Sequence, residues 1–93
     1  MDRLEFEAEL RREGYRVVNS SLKPIMADPN HCHDFDAKIL VLGGELTITR
    51  DNKSATFRAG DHCEVPADCM HSEQVGPEGA AYIAGKAYRR PAN

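Results

Sequence analysis

The stretch GDHCEVPADCMH, residues 60–71, holds a turn, a strand, a second turn and the start of another strand. Gly60-Asp61 is a tight-turn pair, His62–Val65 has the composition of a short strand, and Pro66-Ala67-Asp68 is a rigid turn before His71 opens the next strand. The same rhythm continues upstream. Lys53–Arg58 is strand-like and Asp51-Asn52 is a turn. Glu45–Arg50 alternates, with Leu46, Ile48 and Arg50 on one face and Glu45, Thr47 and Thr49 on the other. Lys38–Leu42 is a short apolar run ending in Gly43-Gly44, a hairpin-turn signal. Tyr15–Leu22 is a further strand, followed by the breakers Lys23-Pro24 and Asp28-Pro29-Asn30. Downstream, Met70–Val75 and Ala80–Ala84 complete the set, separated by Gly76-Pro77-Glu78-Gly79. This spacing predicts about seven or eight short strands in an all-β sandwich or barrel. Pro24 and Pro66 belong at strand ends or edges, because proline cannot donate to a central ladder.

Ahead of the strands, residues 2–13 read as one helix. Leu4, Glu7, Leu10 and Arg11 trace a helical period, and Leu4, Phe6 and Leu10 supply its apolar stripe. Asp2 is a cap, with Glu5 three residues on, and Gly14 is the stop. The domain reading is an N-terminal helix over 1–14 packing on a barrel over 15–88, with a frayed tail over 89–93. At 93 residues the chain is one domain and needs a compact core, a metal or a partner subunit to be stable. A net charge of −3 argues against nucleic acid or an anionic membrane surface as partner. The short basic runs Arg11-Arg12 and Arg89-Arg90 read as solvated ends. No segment approaches the ~20 apolar residues of a membrane span, and the acidic N-terminus is not a signal peptide. Cys32, Cys63 and Cys69 make an odd count with no repeating framework, which points to a reducing compartment, the cytoplasm.

The chemistry rests on the histidines. His31 and His33 stand two apart, so on a strand they project from one face while Cys32 points to the other. Two neighbouring imidazoles can reach one ion at ~2.0–2.1 Å. His71 offers a third nitrogen from a distant strand, which is how a barrel closes a metal site. Neutral imidazoles suit Fe, Mn, Ni, Zn or Cu. His62 directly follows a turn and reads as exposed.

These spacings resemble the two motifs of the cupins, small double-stranded β-helix barrels of the jelly-roll kind. The first, G-x5-H-x-H-x3/4-E-x6-G, is met by His31, His33 and Gly44; the second, G-x5-P-x-G-x2-H-x3-N, is met by Gly60, Pro66 and His71. The resemblance covers residues 15–85 and departs at four positions. Ile25 stands at the leading glycine, Ala37 at the glutamate ligand, Asp68 at the second-motif glycine and Val75 at the final asparagine. Three arrangements replace the missing glutamate. Asp36 turns inward at a bulge, or Glu73, on the His71 face by the period-two rule, serves as fourth ligand, or three histidines leave the other positions open. The last ranks first, with Glu73 alongside as a proton carrier and catalytic group. Phe35 and Val75 are expected to line the pocket.

The resemblance implies a divalent transition metal and a small-molecule ligand or substrate, with oxygenase-like or isomerase-like activity. A non-catalytic ligand-binding or sensor module is the alternative. It also suggests a homodimer, since a short barrel leaves sheet edges that need cover. Cys63 and Cys69 flank the Pro66 turn and are read as free thiols, with a redox pair as the other option. Tyr82 and Tyr88 carry no sequence signal, and Met26 and Met70 read as apolar filling.

Overall fold

The computed structural model describes residues 2–88, so the tail expected over 89–93 lies outside the described residues. These hold one helix, α1 (Arg3–Arg12), and six strands: β1 (Arg16–Leu22), β2 (Ala27–His31), β3 (Phe35–Arg50), β4 (Lys53–Arg58), β5 (His62–Val65) and β6 (His71–Tyr88). The strand order is β1-β6-β3-β4, with β2 also on β6 and β5 also on β3, all antiparallel.

Two long strands replace four of the expected short ones. Gly43-Gly44 is not a hairpin turn, because β3 runs through it, and Gly76–Gly79 does not end a strand, because β6 runs through that too. The β3–β6 register slips between Val41 and Gly43 and again between Gly44 and Leu46. The slip changes which residues face inward. In β3 the interior takes Ala37, Ile39 and Val41, then Leu46 and Ile48; in β6 it takes Val75, then Ala80 and Ala84. Odd positions give way to even ones in β3, and the same happens in β6, so both strands bend at one corner. At this corner the backbones nearly touch. A Cβ on Gly44 would overlap the Gly79 carbonyl, and one on Gly79 would come 2.8 Å from the Leu22 carbonyl oxygen. The glycines therefore mark a close backbone approach within continuous strands.

The corner divides the barrel into two halves. The first comprises β1, β5 and the adjoining parts of β3 and β6. The second comprises β2, β4, the end of β3 and the start of β6. Asp51 and Asn52, with φ of 52° and 62°, make the expected β3–β4 turn. The breaker Asp28-Pro29-Asn30 is instead part of β2. Its pairing with β6 is irregular between Asp28 and His31, and that irregularity accommodates the proline at a sheet edge.

α1 covers the outer face of the first half. Asp2 caps it, accepting from the Leu4 amide at 3.2 Å. Tyr15 N donates to Leu10 O at 2.8 Å and Gly14 N to Arg11 O at 3.1 Å, the paired bonds of a Schellman ending. Phe6 and Leu10 pack on Leu40, Ile83, Val17 and Leu42. Leu4 does not join them and is 73% exposed. Two residues advance a helix by about 200°, so Leu4 and Phe6 cannot share a face. The outer face of the second half carries Thr47 and Thr56, hydroxyls 2.8 Å apart, and Thr49 and Ser54, 2.7 Å apart.

Candidate metal centre

His31, His33, His71 and Glu73 each bring one ligand atom to a common point, all within 4.8 Å of one another. Three segments supply them. His31 ends β2, where it pairs with His71 at the start of β6. Glu73 follows His71 on the same inward face. His33 is not on a strand, contrary to the period-two expectation; it sits in the connection between β2 and β3. The rigid turn after β5 holds that connection. Asp68 N donates to His33 O at 2.8 Å, and Ala67 N donates to Asp36 Oδ1 at 2.8 Å. Two segments far apart in sequence are thereby tied at the site. Asp68 has a φ of +63° there, the conformation a glycine would adopt without cost.

The imidazoles are oriented through backbone carbonyls. His31 Nδ1 lies 2.7 Å from Pro29 O, and His71 Nδ1 lies 2.9 Å from Cys69 O. A carbonyl only accepts, so each Nδ1 carries the proton and each Nε2 is left with its lone pair. Those lone pairs face Glu73 Oε2, at 3.8 Å from His31 Nε2 and 3.2 Å from His71 Nε2. Three electron-pair donors thus converge with no hydrogen between them unless a ring takes a second proton. A cation at this point satisfies all three, and ligand histidines are commonly fixed by a carbonyl on the other nitrogen. His71 is 1% exposed, so its ring is held almost wholly within the protein. His33 stacks on Phe35, with centroids 4.5 Å apart and planes 12° apart. Its pKa is lowered, first by burial and then by His31 and His71, which keeps it in the neutral, ligating form.

Of the two candidates for the fourth ligand, the geometry brings in Glu73 and not Asp36. Asp36 is at an outward position of β3 and caps the Pro66 turn. Glu73 sits among the imidazole nitrogens themselves, so the donor set is less open than three bare histidines. Phe35 is half-buried against His33, with Lys86 Nζ 4.9 Å from its ring centre. Val75 is buried in the barrel core. His62 is exposed on the outward side of β5, outside the group. All three cysteines are free: Cys32 is exposed, and burial pushes the Cys63 thiol up to about 11. Cys63 therefore stays a thiol at neutral pH. Tyr82 was unsignalled in sequence, yet it packs against the barrel core, where burial raises its phenol pKa. The one available signal was its even spacing with Ala80 and Ala84.

No family model matches the chain, nor does any curated protein sequence. Its fold recurs among solved structures. A protein of unknown function from Rhizobium leguminosarum matches with a TM-score of 0.76 at 17% identity, over 83% of this chain and 73% of its own. An RmlC-like cupin from Shewanella frigidimarina matches at 0.70 and 22% identity, over 82% and 68%. An HTH_3 family transcriptional regulator from Vibrio cholerae matches at 0.69 and 19% identity, over 86% of this chain and 46% of its own. The architecture is that of a small cupin barrel, all-β with one short N-terminal helix.

Proposed function

We propose that this cupin-fold domain binds one divalent transition ion through His31, His33, His71 and Glu73, and that it is a metal-dependent enzyme acting on a small molecule. The observation that carries this reading is the convergence of the His31 and His71 Nε2 lone pairs on Glu73 Oε2, each ring locked by a backbone carbonyl. Three nitrogens and a carboxylate suit Fe, Mn, Ni, Zn or Cu. Such an ion, when bound, supplies a Lewis-acid or redox centre for oxygenase-like or isomerase-like chemistry. The chain's own residues do the rest. Pro29 O and Cys69 O hold the tautomers, and the Phe35 ring fixes His33 by stacking. Glu73 turns Oε2 to His31 and His71, which leaves its other oxygen, Oε1, to accept or return a substrate proton.

Metal analysis of untagged protein tests the site: the expected content after reconstitution is about one equivalent per chain. His71→Ala should lower affinity by at least about 100-fold, the upper end of what losing a mere outer partner costs. His62→Ala should leave it unchanged. Content below about a tenth of an equivalent, or equal loss in both variants, overturns the reading.

A non-catalytic sensor module is a second reading. It is favoured by the likeness to the Vibrio cholerae regulator, of whose length this chain spans under half. Turnover of a candidate substrate by the loaded protein separates the two, since a sensor only gains thermal stability with ligand. A homodimer fits the edge strands β1 and β4, and light scattering on the eluted protein tests it.

A further inference from the structure

The inward face of β3 ends on a charge. Its pairing with β6 runs Thr47↔Gln74, Ile48↔Glu73 and ends at Thr49↔Ser72, so Arg50 lies one residue beyond the ladder, at the end of the sheet where His71 opens β6. Arg50 follows Leu46 and Ile48 on the interior side and is half-buried. Among the described residues its Nη1 reaches only Cys69 Sγ, at 3.9 Å, a weak and neutral acceptor. Among the described residues no carboxylate oxygen lies within 4.0 Å of it, whereas Arg3, Arg11 and Arg58 on the surface each pair with one. No buried side-chain nitrogen among the described residues lacks a partner, so this half-buried guanidinium still reaches solvent and can exchange that water for the oxygens of a ligand.

Beside it is a cavity of about 220 Å³ lined by Ile48, Ala55, Phe57, Cys63 and Val65, opening between β4 and β5. Ligand sites for drug-sized molecules run to ~300–1,000 Å³, so this one takes something smaller. Its mouth is accessible, because Lys53 and Ala55 on the inner side of β4 are exposed.

We infer that the barrel takes a small organic carboxylate, its carboxylate held by the Arg50 guanidinium and its apolar part against Ile48, Phe57 and Val65, next to the His–Glu group. A planar fork of N–H donors matches a carboxylate in two-point contact. The apolar walls favour an organic acid over a bare anion. Arg50 and Lys53 are balanced in the lining by Asp51 and Glu64, so the cavity carries no net positive charge to favour a dianion such as phosphate. The inference deepens the proposed enzymatic site but does not depend on the ion, since Arg50 and the cavity stand without it.

The test is an amide-shift titration of full-length protein, metal-stripped and zinc-loaded, with benzoate, benzamide and inorganic phosphate as probes. Benzoate should shift the amides of Arg50, Phe57 and Cys63 in the stripped protein. Benzamide, the uncharged isostere, should bind at least about 10-fold more weakly, as expected when a charge-assisted contact is lost. Arg50→Met, which keeps the aliphatic stem, should weaken benzoate to the same degree while zinc still binds; Arg50→Lys should fall between. Equal binding of benzoate and benzamide by the unaltered protein overturns the inference even if Arg50→Met does not fold. Tighter phosphate binding overturns it, as does unchanged benzoate affinity in folded Arg50→Met. Failure of zinc to bind at all, with benzoate still dependent on Arg50, removes the proposed metal site and leaves the carboxylate inference standing.

Discussion

The two halves of the barrel use the same strands for different purposes. Where α1 lies, β3 and β6 are apolar on both faces: Leu40 and Ile83 pack outward on Phe6 and Leu10, and Ile39, Val41 and Ala84 pack inward. Beyond the Gly44/Gly79 corner the outer face is hydroxyl-bearing and solvated, while the inner face carries His71, Glu73 and Arg50. A layer buried on both sides is rigid, and a layer open on one side is accessible. Because β3 and β6 run through both, the covered half fixes the strands whose far ends hold the polar groups. Preorganisation at a site and access to it are thereby met by two regions of one sheet.

The sharpest way to break this contrast is Leu10→Ala. Leu10 is 1% exposed, and the loss should cost about 3 kcal/mol of unfolding free energy, read from the denaturant midpoint. Metal affinity of the folded protein should not change. A matching fall in affinity would mean that the halves are not separable. Gly85→Ala tests the same packing from the sheet side, since its Cβ would lie 2.5 Å from Leu10 Cδ2. It should destabilise by about 1–3 kcal/mol. In the Leu10→Ala background most of that cost should vanish, a non-additivity expected of residues in direct contact.

Ile25 sharpens the contrast at the corner. It is 72% exposed, with φ of +59°, at the position where the cupin motif that the sequence resembles carries glycine. A β-branched residue there is strained by about 1–3 kcal/mol. Ile25→Gly should therefore raise the melting temperature slightly, the part not offset by glycine's greater freedom when unfolded. The smallest effect concerns pH in the open half. His33 has a folded pKa below its ordinary 6.5, with burial the first cause. The unfolded chain then binds the proton more readily. Stability of the metal-free protein should be full above pH 6.5 and fall as pH drops through the folded value. Denaturation midpoints of His33→Gln should show a flatter profile across that window.

Much of this was legible in advance. The turn-strand rhythm around residues 60–71 announced an all-β barrel, and the Asp51-Asn52 turn and the α1 boundaries follow local rules of conformation. The candidate ligands His31, His33 and His71 stood out because imidazoles are rare and their spacing was unusual. The interior placement of Leu46 and Ile48 followed from alternation alone. Leu4 was misread because two apolar neighbours were assigned one helical face. The long strands were also missed, since a glycine pair signals a turn and a bulge in the same local vocabulary.

Local sequence thus determined the element types, the turn at Asp51-Asn52, the inward and outward sides within each regular stretch, and which side chains were capable of ligating a metal. Tertiary structure decided that Gly43-Gly44 and residues 76–79 bend continuous strands, because only the close approach of Gly44 to Gly79 distinguishes a corner from a hairpin. It also decided the fourth partner of the histidines. Asp36 and Glu73 are alike as carboxylates, and pairing across β2, β3 and β6, together with the turn that engages Asp36, sets Glu73 at 3.2 Å from His71. Local alternation gives each carboxylate a face, but which distant side chain it meets there is set by the register of the assembled sheet.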